Sequence, residues 1–130
     1  MIWVEVFAVF LVSHLVGDFV LQTEWQAQHK AGGLGPAREP RRALLTHVSV
    51  YMLCFVPAFA WLWDDAGWLV LVVAALLFAT HAVQDDGRLL EAYARRVKRM
   101  EADSHPLVVI AVDQSLHVVV LFGLALLALA

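Results

Sequence analysis

Three histidine–aspartate pairs, each with four-residue spacing, stand inside apolar stretches of this chain: His14-x3-Asp18, His81-x3-Asp85 and, in reverse order, Asp113-x3-His117. His47 adds a histidine in an apolar stretch of its own. Imidazole nitrogens and carboxylate oxygens form a donor set suited to zinc foremost, and to iron, manganese or a similar divalent ion. Such an ion lowers the pKa of a water held beside it, and a nearby carboxylate can then act as general base. His14, Asp18, His47, His81, Asp85, Asp113 and His117 are therefore the candidate metal ligands, and Asp18, Asp85 and Asp113 the candidate catalytic bases. This set exceeds what one tetrahedral zinc needs, so one or two ions are expected. Gln22, Tyr51 and Gln114 share faces or rims with these residues and are candidates to hydrogen-bond the ligands from outside.

Four long segments must position those groups. The chain of 130 residues is 62% hydrophobic with a net charge of -3, and its mean hydropathy is +0.73. Soluble domains are roughly 45–50% apolar, and the excess here is gathered into four blocks. Spans are expected over about 2–21, 43–63, 67–85 and 106–129, each near the roughly 20 residues a membrane-crossing helix requires. The fold class is thus an all-α integral membrane protein, a four-transmembrane-helix bundle in one domain. Pro57 falls in the outer half of the second span as a tolerated bend. Trp61, Trp63 and Trp68 around Asp64-Asp65 suit an aromatic belt at one interface.

Two polar connections separate the spans. Thr23 to Arg42, with Gly32-Gly33, Gly35-Pro36 and Pro40, reads as a loop. In Asp86 to His105, apolar Leu89, Leu90, Tyr93, Val97 and Met100 recur at helical spacing among Arg88, Arg95, Arg96, Lys98 and Arg99. That pattern predicts an amphipathic helix on an anionic membrane surface, between the third and fourth spans. No aromatic or motif context supports nucleic acid as a partner. Asp103-Ser104-His105-Pro106 supplies a cap and a helix start. Ala75, Ala79 and Ala82 form a small-residue strip that lets helices approach closely but says little about oligomeric state, so a homo-oligomer stays open. The single cysteine, Cys54, excludes an intramolecular disulfide and reads as apolar filler. Met1 to Phe10 carries no Lys or Arg, so no cleavable signal peptide is expected.

All nine Lys and Arg lie in those two connections. The positive-inside rule then places both connections in the cytoplasm and both termini outside. Spans one and three run inward and span four outward, so reversal of motif and reversal of direction cancel. Each of the three helices presents a histidine deeper and an aspartate about 6 Å nearer the cytoplasm, one turn at 1.5 Å per residue. The i,i+4 spacing keeps each pair on one face. His47, one turn from Tyr51, falls at a compatible depth.

The plainer role for such residues is hydrogen bonding between helices, worth roughly 0.6 kcal/mol per contact. Each central aspartate costs about 2.5–3.5 kcal/mol to insert, and three are a large cost for association alone. His29 and His105 read as surface histidines. Ser13, Thr80 and Ser115 adjoin the polar layers, where hydroxyls often bond their own helix backbone. Gly17 omits a side chain beside Asp18, which admits a neighbouring helix or a ligand.

His14-x2-Gly17-Asp18-Phe19-x2-Gln22, the His47 segment, His81-x3-Asp85 and Asp113-Gln114-x2-His117 together resemble a bacterial membrane family, the domain of unknown function 3307. The resemblance spans essentially the whole chain and implies a small bacterial inner-membrane protein, without supplying an activity. From the site itself, metal-dependent hydrolysis of a lipid-linked or membrane-proximal substrate is the leading expectation. Transport or conduction of a metal ion or proton through the same cluster is the alternative. A bis-histidine haem bundle is disfavoured by the carboxylates.

Overall fold

The computed structural model describes residues 2–101 and 104–130. Those residues form six α-helices and no strand. Helix α1 (Trp3–Leu15) runs directly into a π-helical turn, Val16–Val20. Helices α2 (Glu24–His29), α3 (Arg38–Ala66), α4 (Leu69–Asp85), α5 (Arg88–Arg96) and α6 (Pro106–Leu127) follow. Trp3–Val20, Arg38–Ala66 and Pro106–Leu127 are each long and apolar enough to cross a membrane. A fourth candidate span is α4 taken with α5, a pair bent by 59°.

Four helices make the bundle. α1 packs on α3 and α6, and α4 packs on the same two, which gives the ring order α1–α3–α4–α6. Residue character is inverted relative to a soluble protein. Leu53, Leu71, Leu107 and Val119 are at least 62% exposed, while His14, His47, His81 and His117 are at most 2% exposed. Apolar side chains thus face outward and these polar groups inward.

One end of the bundle is an apolar core built from Val6, Phe10, Phe55, Leu62, Val73 and Leu121. The other end holds the buried histidines and aspartates and both basic connections. These connections are tied together through Asp86. Its carbonyl accepts from Gly32 N–H at 2.8 Å, its Oδ1 accepts from Leu34 N–H at 2.8 Å, and its Oδ2 lies 3.0 Å from Arg88 Nε. Gly87, at φ +79°, takes the left-handed conformation that turns the chain from α4 into α5.

Three elements differ from the sequence expectation. The stretch after the first span is not all loop: α2 forms there because Thr23 and Gln26 cap one another, Gln26 N–H to Thr23 Oγ1 at 3.2 Å and Thr23 N–H to Gln26 Oε1 at 2.9 Å. Helix α3 starts at Arg38 rather than near residue 43, since Pro40 falls in the first turn, where a missing N–H has no intrahelical partner to lose. Helix α5 ends at Arg96, and Arg99, at φ +54°, lies beyond it in the left-handed region, so the surface helix is shorter than its apolar pattern suggested. Pro57 lies inside α3 without breaking it. Pro106 opens α6 with His105 at the N-cap position and no side-chain cap, and Asp103 lies outside the described residues.

A candidate metal centre

The π turn is the local device that delivers Asp18. It closes with Leu21 N–H on the Val16 carbonyl at 2.9 Å and sets Asp18 within the bundle. Gly17, just before it, permits the approach of α3: a Cβ there would sit 2.7 Å from Tyr51 Cδ2 and 3.3 Å from Tyr51 Cα. What the glycine admits is therefore a neighbouring helix. π turns recur at functional sites because they re-aim one side chain without ending the helix.

Asp18, His47, His81 and Asp85, from the π turn, α3 and α4, converge. All four are buried, and their ligand atoms all lie within 4.8 Å of one another. His47 Nε2 is 2.8 Å from Asp85 Oδ2, 3.2 Å from His81 Nε2 and 3.3 Å from Asp18 Oδ1. His81 Nε2 is 3.3 Å from Asp85 Oδ2 and 3.4 Å from Asp18 Oδ1. Donors about 2.0–2.1 Å from a tetrahedral zinc stand roughly 3.3–3.4 Å apart, so these five spacings are close to the edges of one coordination tetrahedron. Asp18 Oδ1 has no hydrogen-bond partner among the described residues despite these short contacts, whereas Asp85 Oδ2 also faces the Lys30 ammonium at 2.9 Å. Buried acceptors left in that condition are costly unless a cation serves them.

The imidazoles are held by packing. Tyr51 stacks on His81 with ring centroids 3.5 Å apart and planes 8° from parallel, and Phe55 lies 4.9 Å from Tyr51. Neither His47 Nδ1 nor His81 Nδ1 has a hydrogen-bond partner among the described residues, so aromatic contacts orient these rings.

The family model described as "Protein of unknown function (DUF3307)" matches residues 6–129. The chain belongs to DUF3307. No curated protein and no solved structure matches it.

The other polar residues of this DUF3307 chain fall around the four. His117 Nε2 lies 3.5 Å from Asp85 Oδ1, and its Nδ1 donates to the Asp113 carbonyl at 2.9 Å. His14 is saturated by hydrogen bonds instead. Its Nε2 donates to Gln114 Oε1 at 3.0 Å, which leaves Nδ1 to accept from the Tyr51 hydroxyl at 3.1 Å. Gln114 Nε2 in turn donates to Asp113 Oδ2 at 3.2 Å, fixing the amide orientation. Asp113 stands at the rim, with 22% of its side chain exposed, and meets His117 only at the Nδ1 side, 3.7 Å away. Ser13, Thr80, Ser115 and Cys54 each bond a backbone carbonyl of their own helix.

Lys30 was not among the residues expected here. Its Nζ lies 2.9 Å from Asp85 Oδ2. Gln22 joins it: the amide accepts from Lys30 Nζ at 2.9 Å and donates to the Asp18 carbonyl at 2.9 Å. Position in a stretch read as loop concealed this lysine. The Thr23-x2-Gln26 capping box was the available signal, because it announces a short helix ending beside Lys30.

Proposed function

We propose that the chain is an integral membrane protein that binds a divalent metal ion, zinc foremost, with Asp18, His47, His81 and Asp85 near the cytoplasmic face. It acts as a metal-dependent hydrolase on a lipid-linked or membrane-proximal substrate. The observation that carries the metal reading is the convergence of four buried donor atoms within 4.8 Å of one another, one of them, Asp18 Oδ1, without a hydrogen-bond partner among the described residues. Four protein ligands close a tetrahedral zinc, whereas hydrolytic sites keep three and an open position. Lys30 offers the means to open it. With Asp85 drawn onto Lys30, His47, His81 and Asp18 remain as a two-histidine, one-carboxylate set. The metal supplies Lewis acidity and a lowered pKa for water. Asp85 would stand ready to take a proton from the attacking water, and Lys30, 2.9 Å from its Oδ2, would keep that carboxylate oriented.

Membrane placement rests on the apolar exterior and on the meeting of both basic connections at one end. The positive-inside rule makes that end cytoplasmic, in the inner membrane of a bacterium, with both termini on the other side. Leu89 in α5 and Val97 just beyond its end are exposed near Arg88, Arg95 and Arg96, which suits an interfacial segment on anionic lipid. Transport is disfavoured by the far half of the bundle, where Phe10, Phe55, Leu62 and Leu121 fill the interior. The test is elemental analysis of the chain purified in mild detergent. At least one equivalent of transition metal is expected, lost in His47→Ala and His81→Ala variants that still run as folded protein. A metal-free wild type would end the reading, and ion flux in proteoliposomes that vanished in Asp18→Asn would replace hydrolysis by transport.

A further inference from the structure

We infer that the centre is dinuclear: a second divalent cation binds between His117 Nε2 and Asp85 Oδ1, with Asp85 bridging the two ions. The inference rests on the metal reading above and adds a site to it. His117 is 2% exposed, and its Nε2 has no hydrogen-bond partner among the described residues. Its tautomer is settled by geometry, because Nδ1 stands 2.9 Å from the Asp113 carbonyl, which can only accept. Nδ1 therefore carries a proton, and in the neutral ring the lone pair of Nε2 faces a carboxylate oxygen at 3.5 Å. Two electron-pair donors opposed inside a bundle call for a cation between them. A metal-ligating histidine characteristically donates its other N–H to a carbonyl or carboxylate, and His117 alone among the four buried histidines donates to a backbone carbonyl in this way.

The carboxylates are divided correspondingly. Asp85 turns Oδ2 to His47 and His81 and Oδ1 to His117. Asp18 turns Oδ1 to the same two histidines and Oδ2 toward His14, 3.6 Å away. A carboxylate shared in this manner holds two ions about 3.5–4 Å apart, the separation used by two-metal hydrolytic sites. With Asp85 bridging rather than drawn onto Lys30, the first site is closed by four protein donors, and the second, which has fewer, is the one that retains positions for water and substrate. His14 is hydrogen-bonded at both nitrogens and stacks on His117 with centroids 5.4 Å apart, so it orients the ligand ring rather than adding a donor.

Mn2+ is the probe. The full chain in mild detergent, loaded with Mn2+ and desalted, is expected to retain two ions. Its electron paramagnetic resonance spectrum should show a spin-coupled pair in place of the pattern of isolated Mn2+. His117→Ala should retain one ion with the isolated-ion spectrum. A wild type holding one uncoupled ion overturns the second site and leaves the single centre standing, whereas a wild type holding none removes both. Two ions retained in His117→Ala would also overturn the assignment. Should that variant fail to fold, the wild-type spectrum and ion count decide alone.

Discussion

The two halves of the bundle solve the same packing problem with opposite materials. In the half near the termini, Phe10, Phe55, Leu62 and Leu121 interlock with no polar group to satisfy. In the other half, histidines and aspartates occupy the same helix faces and leave five buried polar atoms without hydrogen-bond partners among the described residues. Dispersion and close packing hold the first half at any ionic condition. The second is held by charge, so any cation bound there would stabilise it. The boundary between them is a stack of rings only at its last step: Phe10 meets Phe55 edge-on, Phe55 is tilted against Tyr51, and Tyr51 stacks on His81.

Removing a ligand should break this contrast most visibly. Asp85→Ala takes away the carboxylate that meets His47, His81, His117 and Lys30. Metal retention should fall by at least 100-fold. Unfolding in detergent should become easier by about 3–5 kcal/mol, the cost of stripping one partner from a buried charge pair. Metal titration and thermal unfolding on the same sample check both. Unchanged metal binding would mean that Asp85 is a structural partner of Lys30 and nothing more.

Phe10→Ala is the counterpart in the apolar half. A fully buried phenylalanine truncated to alanine should cost about 3–5 kcal/mol of stability, yet metal stoichiometry at low temperature should stay at the wild-type value. Loss of metal in Phe10→Ala would show that the halves are one cooperative unit, with the rings between them transmitting the defect. A smaller effect is expected for Gly17→Ala, whose new Cβ would press within 2.7 Å of Tyr51 Cδ2. Over-packing of that kind costs about 1–3 kcal/mol, and displacement of Tyr51 should loosen His81, weakening metal binding along with stability.

The same contrast explains how far the sequence could be read. Helices and their apolar faces were legible, because four apolar blocks near the length of a membrane crossing leave little else for a chain to do. The pairing of histidine with aspartate was legible through the four-residue spacing, and the gathering of basic residues through two connections now seen to meet at Asp86. Grouping within the site was not. Whether Asp18 or Asp113 faces His47 depends on helix rotation and on the π turn, and neither leaves a mark in residue type. Lys30 was hidden for a different reason. It reaches Asp85 only because the chain folds back through α2, a tertiary consequence of one capping box.

Lys30 also provides the finest test of the comparison, since its substitution should move two measurements in opposite directions. Its ammonium lies 2.9 Å from Asp85 Oδ2, the oxygen that also belongs to the candidate metal-binding group. Without metal, this positive charge offsets the adjacent carboxylates, and Lys30→Gln should lower the stability of the metal-free protein by about 1 kcal/mol. With metal, the same ammonium repels the incoming cation and competes for one of its donors, so Lys30→Gln should tighten binding by roughly three- to tenfold, the effect of one partly screened charge. Competition titration against a chelator reads the second quantity, and thermal unfolding in the presence of chelator reads the first. Both falling together would assign Lys30 to structure alone. A fall in stability with a rise in affinity would mark it as the residue that stands in for the cation and yields to it.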